Sequence, residues 1–441
     1  MNAAPLEPAD GELIVEARLG RPPQDMLEAA VVLEAWAGVP ARSALTAARQ
    51  LMPEEPRAAQ PSVGRLPAPS VHQAGLVPGA AFIVTVIAIA CWAAPLAESL
   101  GGGVVERGLM LALPLTLALQ WGLQSQYLNH PQGVAQLAGR RRRLVLGAAA
   151  LVAVPAAVIG VAGVLAGLLT VTWTAGTLLV GCRRPLLYAA IVLAATPAMV
   201  AGVAVMGVLV AVAVATAAAV ELALRSRAPA TPARPTPGRW ERAVAAGAIG
   251  LGLGLMLVLD RTVGFTEGAI PALALLPSTV ASAWGGHHLR HLEQAIPRSV
   301  SGIAASDPYA PGVAWPPFSV LLGALGRLVA LAAALSAVLL ALTPWLGDSA
   351  RSVGLLVGFG LVALATLLVS LLEAMGRGRW ALTAVVAAVA AEAGVRLAGS
   401  DPFPGTGLVV GGALAVFLVL PAVVGQLVRP ARTLATAMWI P

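Results

Sequence analysis

Few residues in this 441-residue chain have the types and spacing for chemistry. His287 and His291 stand four apart, the spacing at which one helix face offers two imidazoles to zinc. No second group of His, Cys or carboxylates accompanies them, and a zinc centre needs three or four ligands, so no metal site is expected. His287, His288 and His291 read instead as a cluster against lipid headgroups at the cytoplasmic edge. Cys91 and Cys182 lie in or beside apolar runs and give neither a disulfide framework nor ligand spacing. Glu392 lies deep in an apolar run, thirteen residues from Arg379, which at 1.5 Å per residue is about 20 Å. Two readings are open for it: an i, i+4 pair with Arg396, or an acid that couples a proton or cation. Asp260, a second coupling candidate, and Glu267 sit at the ends of such runs. Gln120 and Gln124 are i, i+4 and share one helix face. No catalytic residue and no cofactor is expected.

The elements that carry these residues follow from composition. The chain is 58% hydrophobic and 11% charged, with a mean hydropathy of +0.83. Soluble domains carry roughly 25% charged residues. A chain this apolar needs lipid as its solvent. The net charge is +7, and all 28 cationic residues are Arg. A nucleic-acid partner is excluded by their placement, in short clusters between apolar runs. The acidic start, Met1 to Asp10, does not read as a cleavable signal peptide.

Runs of about 20 apolar residues suffice to cross the hydrocarbon. Twelve are expected, near 79–99, 107–126, 143–160, 162–181, 186–203, 205–224, 241–260, 267–286, 327–346, 352–373, 379–398 and 407–428. With both termini cytoplasmic, the inside loops hold Arg140 to Arg143, Arg183, Arg184, Arg225, Arg227, Arg234, Arg239, Arg242, Arg290, Arg298, Arg327, Arg377, Arg379, Arg429 and Arg432. The outside ends hold only Arg107, Arg261, Arg351 and Arg396, each near an acid. That asymmetry is the positive-inside rule through every crossing. Ahead of the spans, residues 1–75 hold nine of the 21 acidic residues. They read as two short cytosolic helices, Pro23 to Ala37 and Pro40 to Met52, followed by a Pro/Ala-rich linker. That segment is either a small helical pair or a docking module for a cytosolic partner.

The chain also repeats itself. Leu113-Pro-Leu-Thr-Leu-Ala-Leu-Gln-Trp-Gly122 matches Leu276-Pro-Ser-Thr-Val-Ala-Ser-Ala-Trp-Gly285 at Pro, Thr, Ala, Trp and Gly. The stretch from Arg143 to Val154 matches that from Arg327 to Val338 at nine of twelve positions. Span 2 therefore corresponds to span 8, and span 3 to span 9. Two parallel six-span halves follow, 76–226 and 241–441, joined by the Pro-rich linker 227–240. This is a transporter architecture. The longer loop after span 8 holds the Pro- and Gly-rich segment around Ser301 to Phe318. Arg327, matched to Arg143, reads as an interfacial anchor.

The 6+6 spans, the amphipathic stretches after spans 2 and 8 (Tyr127 to Arg143; His287 to Val300) and Pro155 within span 3 carry a resemblance. Over about 79–430 the chain resembles the multidrug/oligosaccharidyl-lipid/polysaccharide exporter superfamily, which includes MATE exporters, lipid-linked sugar flippases and Pel-type exporters. The rival is the major facilitator superfamily. Gly133-Val-Ala-Gln-Leu-Ala-Gly139-Arg140 has the Gly and Arg of its loop signature, without the Asp and with the spacing off by one. The exporter resemblance implies that spans 1, 2, 7 and 8 line a central cavity. By span correspondence its candidates are Trp92, Thr116, Gln120, Trp121, Gln124, Thr279, Ser282, Trp284, His287 and His288. Packing between helices and interfacial Trp belts are the alternative account of these residues. Pro114 and Pro277 are expected to kink the matched spans 2 and 8. The absence of acids deep in spans 1, 2, 7 and 8 departs from cation-coupled drug exporters.

The resulting expectation is a non-enzymatic, multi-pass protein of a bacterial inner membrane, exporting or flipping a polysaccharide or lipid-linked glycan. Membrane lipids and an amphiphilic or glycan substrate are its partners. A facilitator-type small-molecule transporter and a non-transporting scaffold of a biosynthetic complex are the alternatives. A membrane glycan polymerase or ligase would need larger polar loops outside.

Overall fold

The computed structural model describes residues 11, 14–16, 23, 26–37, 39, 41–51, 77, 80–81, 83–84, 92, 95–125, 141–181, 184–200, 213–221, 239–259, 277, 280, 315–346, 352–374, 376–399 and 405–427. Their secondary structure is helical throughout, with no strand among the described residues. The chain divides into two compact units, and residues 1–71 and 72–287 fall in different ones.

In the first unit, α1 (Met26–Ala37) and α2 (Ala41–Leu51) form a short helical pair. Ala29, Ala30, Val32 and Leu33 of α1 bury against Ala44 and Ala48 of α2, and Val15 joins them. Small alanines on facing positions let the two axes approach, and Leu33 fills the centre. The turn is closed by Val39 N–H donating to the Leu33 carbonyl at 3.3 Å. Sequence places these helices at Pro23 to Ala37 and Pro40 to Met52, of which residues 24, 25, 38, 40 and 52 lie outside the described residues.

The second unit holds α3 (Gly102–Leu123), α4 (Arg141–Ile159), α5 (Val161–Gly181), α6 (Pro185–Val200), α7 (Arg239–Leu259), α9 (Ser352–Ala374) and α10 (Gly378–Leu397). Most of α8 (Trp315–Leu346) and α11 (Thr406–Leu427) also lies there. Among the described residues six helices are long and apolar enough to cross a membrane: α3, α5, α7, α9, α10 and α11. Shorter apolar runs occur at 145–159, 185–197 and 325–341. The protein is therefore read as multi-pass. Most residues of expected spans 1, 6 and 8 lie outside the described residues.

The directions of neighbouring helices can be read from their contacts. α4 and α5 form a hairpin that reverses at Gly160, whose φ of 60° suits a residue without Cβ. α3 runs parallel to α5: Gly108 meets Ala162 and Leu165, while further along Thr170 meets Ala112. α7 runs antiparallel to α3, with Ala243 beside Gly122 and Gly254 beside Pro114. α11 runs parallel to α9, through Gly405 on Gly354 and Gly412 on Leu361. It is antiparallel to α10, through Gly411 on Ala388 and Leu418 on Trp380. These directions are the ones that alternate crossing of successive spans requires.

Prolines inside the helices leave carbonyls without their usual donors. Pro155 strands the Leu151 carbonyl, and the backbone of Gly167 on α5 comes up against it; a Cβ there would lie 2.5 Å from that oxygen. Pro421 interrupts α11 in the same way and frees the Phe417 carbonyl; at the next carbonyl along, that of Leu418, Trp380 of α10 donates its indole N–H at 3.2 Å.

Two helix starts differ from expectation: α3 begins at Gly102, ahead of the expected 107, and α8 begins well ahead of expected span 9. Span 9 was placed at 327–346, with the segment around Ser301 to Phe318 as loop. The helix begins at Trp315 and runs 32 residues. Pro316 and Pro317 read as loop punctuation but sit in the first turn, where a backbone N–H has no partner to lose. Arg327 lies exposed within the helix.

Candidate functional site

The two predicted halves meet in one compact unit along α3 and α7. Gly247, Gly250 and Gly254 recur at i, i+3 and i+7, so they lie on one face of α7. That face lies directly on the α3 backbone. A Cβ at Gly247 would stand 3.3 Å from the Ala118 carbonyl oxygen. One at Gly250 would collide with the Leu117 carbonyl and lie 3.0 Å from Trp121 Cβ. One at Gly254 would collide with Pro114 Cα. Pro114 is thus both inside α3 and in close contact with α7. The other side of α7 carries Gly252, against Val385 and Val389 of α10. No side-chain hydrogen bond joins α3 to α7 among the described residues.

The first half is held differently. Trp92 donates its indole N–H to Thr196 Oγ1 on α6 at 3.0 Å. Gln120 Nε2 donates to the Trp173 carbonyl on α5 at 3.4 Å, and Thr170 Oγ1 to the Ala112 carbonyl on α3, also at 3.4 Å. Thr172 on α5 hydrogen-bonds Thr216, in the helical stretch 213–221. Around these bonds lies an apolar core of Leu96, Val105, Leu109, Leu165, Leu169, Leu179, Tyr188 and Val192. Side-chain hydrogen bonds therefore tie the first half internally, while its contact with α7 is made of backbone and small residues.

The cavity candidates are distributed as follows. Trp92 is 1% exposed, inside the first-half core. Thr116 is 3% exposed, and it shares with Ala112 and Gln120 the α3 stripe that faces α5. Trp121 is buried on the opposite face, at α7, and Gln124 is exposed just past the end of α3. Pro277 is helical and buried. Thr279, Ser282, Trp284, His287, His288 and Asp260 lie outside the described residues.

Glu392 is 1% exposed. Its carboxyl sits against the last span: a Cβ at Gly411 of α11 would stand 3.2 Å from Glu392 Oε2 and 3.0 Å from the Ala388 carbonyl. Glycine at 411 leaves the volume that the acid occupies. No group of three or more His, Cys, Asp or Glu is placed to hold a metal ion among the described residues.

The α7 glycine face was absent from the candidates read in the sequence, although its signal is there in Gly250-Leu-Gly-Leu-Gly254. Small residues at three- and four-residue spacing in an apolar run mark close helix contact.

No protein-family model and no curated protein matches the chain. Among solved structures, the chain is similar to one described as a crystal structure of MATE in complex with MaL6. The identity is 13%, the match covers 82% of this chain and 98% of that one, and the TM-score is 0.39.

Proposed function

We propose that this protein is an alternating-access exporter or flippase, with a polysaccharide or lipid-linked glycan as its substrate. The observation that carries the reading is the contrast between its contacts. The first half is fastened internally by hydrogen bonds from Trp92, Gln120, Thr170 and Thr172. Its contact with the second half is a glycine-lined surface free of side-chain bonds among the described residues. Halves that rock must keep their own packing while the surface between them parts and closes. A contact without directional bonds costs little to break and re-form. Glycan as substrate is supported by the amides and indoles on the sequence segments of spans 2 and 8, including Gln124 exposed at the end of α3. Residues 1–75, with the buried pair α1 and α2, suit the accompanying proposal of a cytosolic partner.

The test is reconstitution of the full chain in liposomes with labelled lipid-linked oligosaccharides on one leaflet. Movement faster than in protein-free liposomes supports the function. Failure with every glycan lipid, alongside transport of a small soluble compound, would replace the substrate class. The rocking element has its own test. Cysteines at Ala118 and Gly247 in a Cys91→Ala/Cys182→Ala background should form a disulfide, and closing it should arrest transport reversibly.

A further inference from the structure

We infer that a water molecule is bound between Thr116 of α3 and Thr174 of α5, inside the first half. Three observations meet there.

The first is the register of the two parallel helices. Thr170 reaches the Ala112 carbonyl and Gln120 reaches the Trp173 carbonyl. Ala112, Thr116 and Gln120 are successive i, i+4 positions of α3, and Thr170 and Thr174 are i, i+4 on α5, so each set lies on one face. Thr116 therefore falls between the two bonds on one helix, and Thr174 falls at the same level on the other.

The second is how each hydroxyl is used. Threonine in an apolar helix normally turns its hydroxyl onto the carbonyl four residues back. Thr172 does so to Leu168, Thr177 to Trp173, Thr196 to Val192, Thr366 to Val362 and Thr383 to Arg379, at 2.7 to 3.1 Å. Thr116 and Thr174 do not. Their Oγ1 atoms are buried without a hydrogen-bond partner among the described residues. Thr116 as a whole is 3% exposed. The carbonyl that Thr116 would have used, that of Ala112, accepts Thr170 instead.

The third is the length of the flanking bonds. Both are 3.4 Å long, beyond the usual 2.7–3.2 Å. Two orphaned hydroxyls at one level, with helix carbonyls nearby, supply the two to four partners that a buried water needs. α3 is thus joined to α5 by two direct hydrogen bonds with a water between them, and to α7 by backbone contact. This follows from the packing of the first half and is independent of any transported substrate.

The experiment is X-ray radiolytic labelling of the full-length protein in lipid nanodiscs in ¹⁸O-water. A bound water becomes a hydroxyl radical in place and marks the side chains beside it. The expected result is ¹⁸O on the half-buried Leu113, Leu117 or Trp173, reduced in Thr116→Val/Thr174→Val and retained in Thr116→Ser. Tm should report the same slot, with each single Val variant lowering it and the double variant falling no further than the worse single one. Absence of label in the unaltered protein, or label undiminished in the double Val variant, overturns the inference. Should the double variant fail to fold, Thr174→Val against Thr174→Ser gives the same comparison.

Discussion

Replacing glycines along the α3–α7 contact by alanine, one at a time, should give a graded series whose order is fixed by geometry. At Gly122 the new Cβ lies 3.4 Å from the Ala243 carbonyl oxygen, an ordinary contact. At Gly247 it lies 3.3 Å from the Ala118 oxygen, so the helices must give by a few tenths of an ångström. At Gly250 it overlaps the Leu117 carbonyl, and at Gly254 it overlaps the backbone of Pro114, whose nitrogen is 3.0 Å away. Main-chain atoms cannot rotate aside as a side-chain tip can, so at the last two positions the helices themselves must separate. Alanine favours a helix over glycine by about 1 kcal/mol, and overpacking a tight contact costs about 1–3 kcal/mol. Gly122→Ala should thus be neutral or slightly stabilising, Gly247→Ala near neutral, and Gly250→Ala and Gly254→Ala net destabilising by up to about 2 kcal/mol on those two magnitudes. Gly252→Ala meets Val385 Cγ1, a side-chain rather than a main-chain atom, and should fall between. Thermal unfolding of the purified full chain reads the stability order, and liposome flux reads the functional one. If Gly250→Ala matched Gly122→Ala in both assays, the close approach of α3 to α7 would be wrong, and with it the gating surface.

Other predictions are narrower. Trp92→Phe keeps an aromatic side chain but removes part of the indole volume and the N–H to Thr196; the hydrogen-bond share of the loss, about 0.5–1.5 kcal/mol, should appear as coupling to Thr196→Val when Tm is measured as a double-mutant cycle. Leu33→Ala empties the centre of the α1–α2 pair, and a cavity cost of about 2–5 kcal/mol should abolish hydrogen-exchange protection over residues 26–51. Gly411→Val displaces the Glu392 carboxyl and should lower Tm, whereas Gly425→Ala, helical with open space beside it, should leave Tm unchanged or raise it slightly.

Much of the helical layout could be read from hydropathy alone, because lipid-crossing helices need an uninterrupted apolar length and reveal it in the sequence. The α4–α5 break was expected near residue 161 and lies at Gly160. The start of α8 could not be read, since Pro316 and Pro317 have the same appearance in a first turn as in a loop. The candidate residues were harder. Thr116, Gln120 and Trp121 are adjacent in sequence, yet they divide between the α5 and α7 faces of one helix. Hydropathy gives no direction for a face when nearly every neighbour is apolar. Trp92 could be recognised as amphipathic, but its partner Thr196 lies 104 residues away. The glycine surface was visible as spacing, and only the opposing backbone shows which helix it meets.

The single-residue reversal at Gly160 also bears on biogenesis. α4 has 19 residues and α5 has 21, with one glycine between them. No polar stretch separates them for the insertion machinery to translocate on its own. The two segments must therefore enter the bilayer together as a preformed hairpin. A ribosome halted between them would leave α4 without the surface that shelters its stranded Leu151 carbonyl.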